Sequence, residues 1–203
     1  MESEGVDVSK FFHPEQKVLQ EHMGTTRIAD RISETRRRAV FNDVDAEIVG
    51  AAQFFFIASS AADGTLDCSV KSGPAGFVRM QGERTLVFPD YDGNGMFRTL
   101  GNIRATSRVA LLFLELSGEK RKLRMNGHAE VSTDAVVFGK FPGAQAAVVV
   151  AVADIFPNCP RYLPTMQQVA RSEFVEALGE HALEPFWKGK PDLKDFVHAR
   201  RVF

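Results

Sequence analysis

The residues able to do chemistry in this chain gather between Phe54 and Asn126. Ser69 and Lys71 alternate with apolar neighbours in LDCSVKSG, so a strand there shows both polar side chains on one face. Asp90, Asn94 and Arg98 follow within DYDGNGMFR. A lysine offers a compact positive charge and a serine a hydroxyl donor, a pairing suited to a phosphate dianion. Gly93 and Gly95 let backbone approach an anion closely, and a helix beginning near Met96 turns free amides toward it. Arg98 adds a forked contact. This pattern predicts an anion cradle.

Other chemistries fit less well. Asp90, Asp92 and Asn94 alternate as in a calcium loop, but Ile103 and Arg104 stand where its closing glutamate belongs. The five histidines, His13, His22, His128, His181 and His198, match no metal-ligand spacing, so no metal is expected. His128 reads as a strand-end surface residue, and Tyr91 and Trp187 as core or rim. Cys68 and Cys159 make no disulfide framework and read as buried small hydrophobes. With 25 basic and 26 acidic residues the net charge is -1, which supplies no global field for nucleic acid or an anionic membrane. The apolar run from Ala144 to Ala153 is broken by Gln145 and spans half the ~20 residues of a bilayer crossing. MESEGVDVSK lacks the basic-then-apolar order of a signal peptide. The expectation is a soluble, cytoplasmic protein without nucleic-acid or membrane partners.

The elements that must position the cradle follow from period. After a loose arm to Pro14, Val18, Leu19, Met23, Ile28 and Ile32 suit one helix face, weakened at Gly24 and closed by Arg36, Arg37 and Arg38 as a solvated helix end. Asn42 or Asp43 caps a second helix. FFFIASS then reads as a buried strand, AADGT as a turn, and LDCSVKSG as a half-polar strand. GFVRM and TLVFPD continue the sheet, with Pro89 marking a strand end or edge. The glycine-rich crossover leads to a helix over Met96 to Ile103. Val109 to Leu116 and Lys120 to Val131 form a hairpin, a short helix capped by Thr133 or Asp134 follows, and AQAAVVVAVADIF is the last strand. Two prolines in NCPRYLP end it, and MQQVARSEFVEALGE predicts a C-terminal helix. The fold expected is mainly β with flanking helices, six to seven short antiparallel strands in a barrel. Residues 1–52 form an N-terminal arm and helices, 53–163 the barrel core and 164–203 a helical tail, all one structural domain.

FFFIASSAADGTLDCSVKSG, FPDYDGNGMFRTLGNI, VALLF, RMNGHAEV and IFPNCPRYL, in that order from Phe54 to Leu163, resemble the FMN-binding, pyridoxamine 5'-phosphate oxidase-related proteins of the split β-barrel fold. DYDGNGMF and NCPRY are the specific blocks. The resemblance implies a homodimer with FMN at the subunit interface. It assigns the cofactor to Ser69, Val70, Lys71, Pro89, Asp90, Asn94, Met96, Phe97 and Arg98, Val70 and Met96 acting through backbone. Asn158, Arg161 and Tyr162 would close the pocket, from the partner subunit if not from the same one. Two departures separate the chain from pyridoxamine-phosphate oxidases proper. Leu66 stands where their arginine precedes the strand lysine by five residues, and RRVF ends the chain without their basic and aromatic segment.

The flavin would carry the redox chemistry while the protein positions and tunes it. The function expected is a flavin-dependent oxidoreductase acting on a small organic substrate, with no catalytic side chain assigned. The alternative is a storage or sensor protein on the same barrel, holding FMN, haem or a deazaflavin without turnover.

Overall fold

Secondary structure changes character at Phe54, where the period of the apolar residues changes. The computed structural model describes residues 11–176, 178 and 183–197. The first predicted helix is two: α1 (Pro14–His22) and α2 (Thr26–Arg36), separated where Gly24 adopts φ +65°, a backbone that favours glycine. Their apolar face (Val18, Leu19, Met23, Ile28 and Ile32) is exposed in the single chain. The arginines that follow are not the solvated helix end expected from sequence. Arg37 lies 2.5 Å from Asp154, and Arg38 pairs with Asp45, which is fully buried. A carboxylate taken out of water needs such a partner, so Arg38 is structural. Its backbone also exchanges two hydrogen bonds with Ile155, at 3.0 and 2.8 Å. In α3 (Asp43–Ala51) the cap is Asn42, whose side chain accepts from the Asp45 amide at 3.0 Å, while Asp45 accepts from the Asn42 amide at 3.1 Å.

Seven strands follow: β1 (Phe54–Ser60), β2 (Leu66–Ser72), β3 (Arg79–Gln81), β4 (Thr85–Tyr91), β5 (Arg108–Leu114), β6 (Lys122–Ser132) and β7 (Ala144–Asn158). They make one antiparallel sheet in the order β2-β1-β5-β6-β7-β4-β3, so β2 and β3 are its two edges. With its flanking helices this is the split β-barrel architecture expected, at the upper strand count. Helix α4 (Arg98–Thr106) carries the chain from β4 to β5, and α5 (Ala135–Phe138), capped by Asp134, joins β6 to β7. Pro89 is internal to β4 rather than at its end. Only β7 pairs with β4 there, because β3 reaches no further than Val87, so the missing amide costs no ladder bond.

Barrel closure rests on large apolar side chains from consecutive elements. Phe55 stacks on Phe113 at 5.0 Å, meets Phe88 edge-on at 4.9 Å and lies 5.8 Å from Phe77. Leu86, Leu111, Leu123, Met125 and Ile155 complete that core, and a second cluster under α5 joins Val87, Phe138, Phe141 and Ala147. FFFIASS is therefore buried on alternate residues and not throughout. The C-terminal helix is also shorter than expected: residues 166–172 are irregular and α6 covers only Glu173–Glu176, followed by 3-10 turns at Phe186–Gly189 and Lys194–Phe196. The rest of that predicted helix, the start of the N-terminal arm and RRVF lie outside the described residues. Both cysteines are exposed, against the buried role expected of them, because the outward side of β2 carries Cys68 and Cys159 lies beyond β7. Among the described residues no helix is long and apolar enough to cross a membrane.

Candidate functional site

The register of β1 on β2 explains where polar chemistry collects. Ser59, Ile57 and Phe55 stand opposite Asp67, Ser69 and Lys71, so these six side chains share one side of the sheet. On β1 that side is core; on the edge strand it turns polar. Leu66, Cys68 and Val70 face the other way, and Leu66 and Val70 are 74% and 52% exposed. The strand thus half-buries its polar residues and shows its apolar ones.

The polar side of β2 faces the end of β4 and the crossover, two segments that share no ladder bond with it. Between them lies a cavity of about 430 Å³ lined by residues 67–72 and 89–100, a size typical of small-molecule sites. Ser69, Val70, Lys71, Pro89, Asp90, Asn94, Met96, Phe97 and Arg98 all line it. Lys71 Nζ donates to Asp90 Oδ1 at 3.3 Å across the split. Asp90 is buried, and its other oxygen accepts from Gln145 at 2.9 Å. Arg98 Nε donates to Asp67 Oδ1 at 2.9 Å, and the Thr99 hydroxyl to Asp67 Oδ2 at 3.2 Å.

Each cation keeps donors in reserve. An ammonium has three and a guanidinium five, and Lys71 and Arg98 each spend one on these carboxylates. The turn before α4 is built for the same purpose. Asn94 Oδ1 accepts from the Met96 amide at 3.0 Å, Gly95 takes φ +75°, and Phe97 takes φ +49° as N-cap. No side chain caps the helix, which starts two residues later than the sequence suggests. Its first-turn amides therefore point to the cavity with their partial positive charge uncompensated by a cap. Around Gly93 no atom lies within 4 Å of where a Cβ would stand, so the chain itself does not demand a glycine there. Uncapped amides, two cations with free donors and an open backbone at Gly93 fit an anionic group such as a phosphate.

The carboxylates have a different part. Asp90, expected among the ligands, has both oxygens engaged, and its charge opposes that of an anion; it holds Lys71 in place. Asp67 and Gln145 were not picked out as site residues. Asp67 was visible as the third polar residue in the β2 alternation, Gln145 as the lone polar residue in an apolar run. Tyr91 also lines the cavity, and burial raises its phenol above the ordinary value of 10.0 while the Arg79 charge pulls the other way. Its hydroxyl is a proton donor at neutral pH.

Three expected residues are not brought to this cavity within one chain. Asn158 lies at the end of β7 in a separate groove with Arg36, Arg37 and Arg38, and its Oδ1 is buried without a partner among the described residues. Arg161 packs its guanidinium 5.8 Å from the Tyr162 ring, and Tyr162 is 89% exposed. Among the described residues no group of His, Cys, Asp or Glu gathers to hold a metal.

Residues 41–180 of the chain match a protein-family model described as pyridoxamine 5'-phosphate oxidase. No curated protein sequence matches. Solved structures that resemble it include HupZ of Group A Streptococcus, with 16% identity over 63% of this chain and 99% of that one at TM-score 0.46. Another is an FMN-binding protein of Syntrophomonas wolfei, with 14% identity over 70% and 97% of the two chains at TM-score 0.40. A FAD-binding protein of Mesorhizobium loti has 15% identity over 61% and 99% at TM-score 0.41.

Proposed function

The chain belongs to the pyridoxamine 5'-phosphate oxidase family, and on that premise we propose that it is an FMN-binding homodimeric oxidoreductase acting on a small organic substrate. The observation that carries this reading is the cradle between β2 and the crossover, where Lys71, Arg98 and the uncapped start of α4 converge on one cavity. Ser69 and Lys71 bind the phosphate from the strand, and Arg98 with the amides of α4 binds it from the opposite side. Asp90 and Asp67 act as positioning residues that aim the two cations, and Gln145 fixes Asp90 in turn. Bound flavin supplies hydride or electron transfer, a chemistry that needs no nucleophilic side chain. Leu66, where the resemblance places an arginine in pyridoxamine-phosphate oxidases proper, separates the chain from them and speaks against a pyridoxine vitamer as substrate.

Dimerisation is supported by the outward side of the sheet beside the cradle. Leu66 and Val70 are exposed there, beside the half-buried Phe56 and Leu112 of the neighbouring strands, and exposed apolar surfaces of this kind mark contacts. A second copy covering it would bring its own Asn158, Arg161 and Tyr162 toward the cradle. The test is the absorption spectrum of the purified protein with mass analysis of the released ligand. A flavin spectrum and the mass of FMN are expected. A deazaflavin mass would change the cofactor, and a colourless protein that takes up no added FMN would end the reading.

A further inference from the structure

A second cavity, of about 480 Å³, opens at the far end of β2. It is floored by Ile48 of α3, Phe54 of β1 and Phe113 of β5, and roofed by residues 166–175. The first residues of the roof are tied down. Gln53 and Gln168 exchange two amide hydrogen bonds at 2.8 and 3.0 Å, and the Met166 amide donates to the Leu116 carbonyl at 2.9 Å. An irregular segment held by reciprocal side-chain bonds over an apolar floor encloses a volume; no helix or strand requirement explains it.

The lining carries two charged side chains. Glu115 is paired with Arg121, which donates to both of its carboxylate oxygens at 2.5 and 3.1 Å and also to Glu47 at 3.0 Å. Arg171, at the rim, makes no ion pair among the described residues. The lining thus joins an apolar floor to one cation that has no carboxylate partner among the described residues, complementary to an apolar molecule ending in a single carboxylate. Ser72 lines both this cavity and the cradle, so the two are neighbours along β2.

We propose that the cavity between α3, β1, β5 and residues 166–175 binds a compact monocarboxylic acid with an aromatic or aliphatic body, oriented by Arg171 and set against the flavin cradle. This deepens the oxidoreductase reading by naming its substrate class and rests on that reading for the reaction alone. Binding itself requires only the cavity.

Titration calorimetry of the full chain with 3-phenylpropanoate, and with 3-phenylpropan-1-ol as the uncharged match, tests it with and without FMN. The acid is expected to bind more tightly than the alcohol. Arg171→Gln should weaken the acid about tenfold, the worth of one charge-assisted contact, and leave the alcohol unchanged. Val175→Trp, which fills the space beneath the roof, should weaken both, with near-ultraviolet circular dichroism confirming an intact fold. Neither change should alter FMN affinity. Equal binding of acid and alcohol, an Arg171→Gln protein that binds the acid normally, or an acid that displaces FMN would each overturn the assignment. If the protein takes up no FMN yet binds the acid through Arg171, the flavin reading fails and the carboxylate site stands.

Discussion

β1 and β2 are hydrogen-bonded neighbours of seven residues each, and they use the same side of the sheet in opposite ways. β1 turns Phe55 and Ile57 into the core; β2 turns Lys71 and Ser69 into a cavity. The pair Phe55 and Lys71 stand directly opposite in register, one fully buried among aromatic rings, the other reaching across the split to Asp90. An internal strand is flanked by partners that exclude water, whereas an edge strand leaves its inward side open to a ligand. Stability and binding are therefore separable across a single cross-strand pair.

Replacing Phe55 by alanine breaks that comparison on the core side and carries the largest effect. Loss of a buried aromatic should cost about 3–5 kcal/mol of stability, read from a urea denaturation midpoint. Lys71→Ala should act chiefly on binding: FMN affinity falls by about thirtyfold or more, the worth of a charge-assisted contact, while the apo protein stays folded and loses less stability than Phe55→Ala, because the buried Asp90 loses its cation but keeps its bond from Gln145. Unchanged FMN affinity would remove Lys71 from the site. The opposite face of the same strand gives the third test. Leu66→Lys puts a charge into the outward apolar surface, and light scattering should show the mass of one 22.5 kDa chain, against twice that for the proposed dimer of the unaltered protein.

The smallest effect concerns the tail beside the cradle. Lys188 donates to Asp92 at 2.7 Å, and this bond, with a second to Glu184, raises the ammonium above its ordinary 10.5. A raised value means the tether is complete below pH 10.5 and weakens as pH climbs through the higher folded value. Fluorescence of Trp187, the single tryptophan, should shift in that range, and Lys188→Ala should abolish the shift.

Much of this was legible locally. The bounds of β1 and β2, the Asn42 and Asp134 caps and the crossover glycines follow from period and from which residues satisfy a free amide. That Ser69, Lys71, Asp90, Asn94 and Arg98 would share one cavity was legible, because short-range alternation and turn chemistry place them. Asn158, Arg161 and Tyr162 were not, since nothing local decides which surface they meet. The C-terminal segment misled because its apolar spacing fits a helix, while its Gln168 amide bonds to Gln53, 115 residues away, hold residues 166–172 irregular.

By itself the sequence determined that β2 has two unlike sides and that a glycine-rich turn into a helix follows β4. Only the tertiary structure decided which side of β2 faces inward. Alternation records that two faces differ, but the sign of the burial depends on the neighbours: at a barrel's open edge, the polar face is the one the fold encloses. The same holds for Arg37, whose charge reads as solvated until Asp154 is brought to it from 117 residues away. Ion pairs and cavities between distant segments are long-range facts, and period carries none of them.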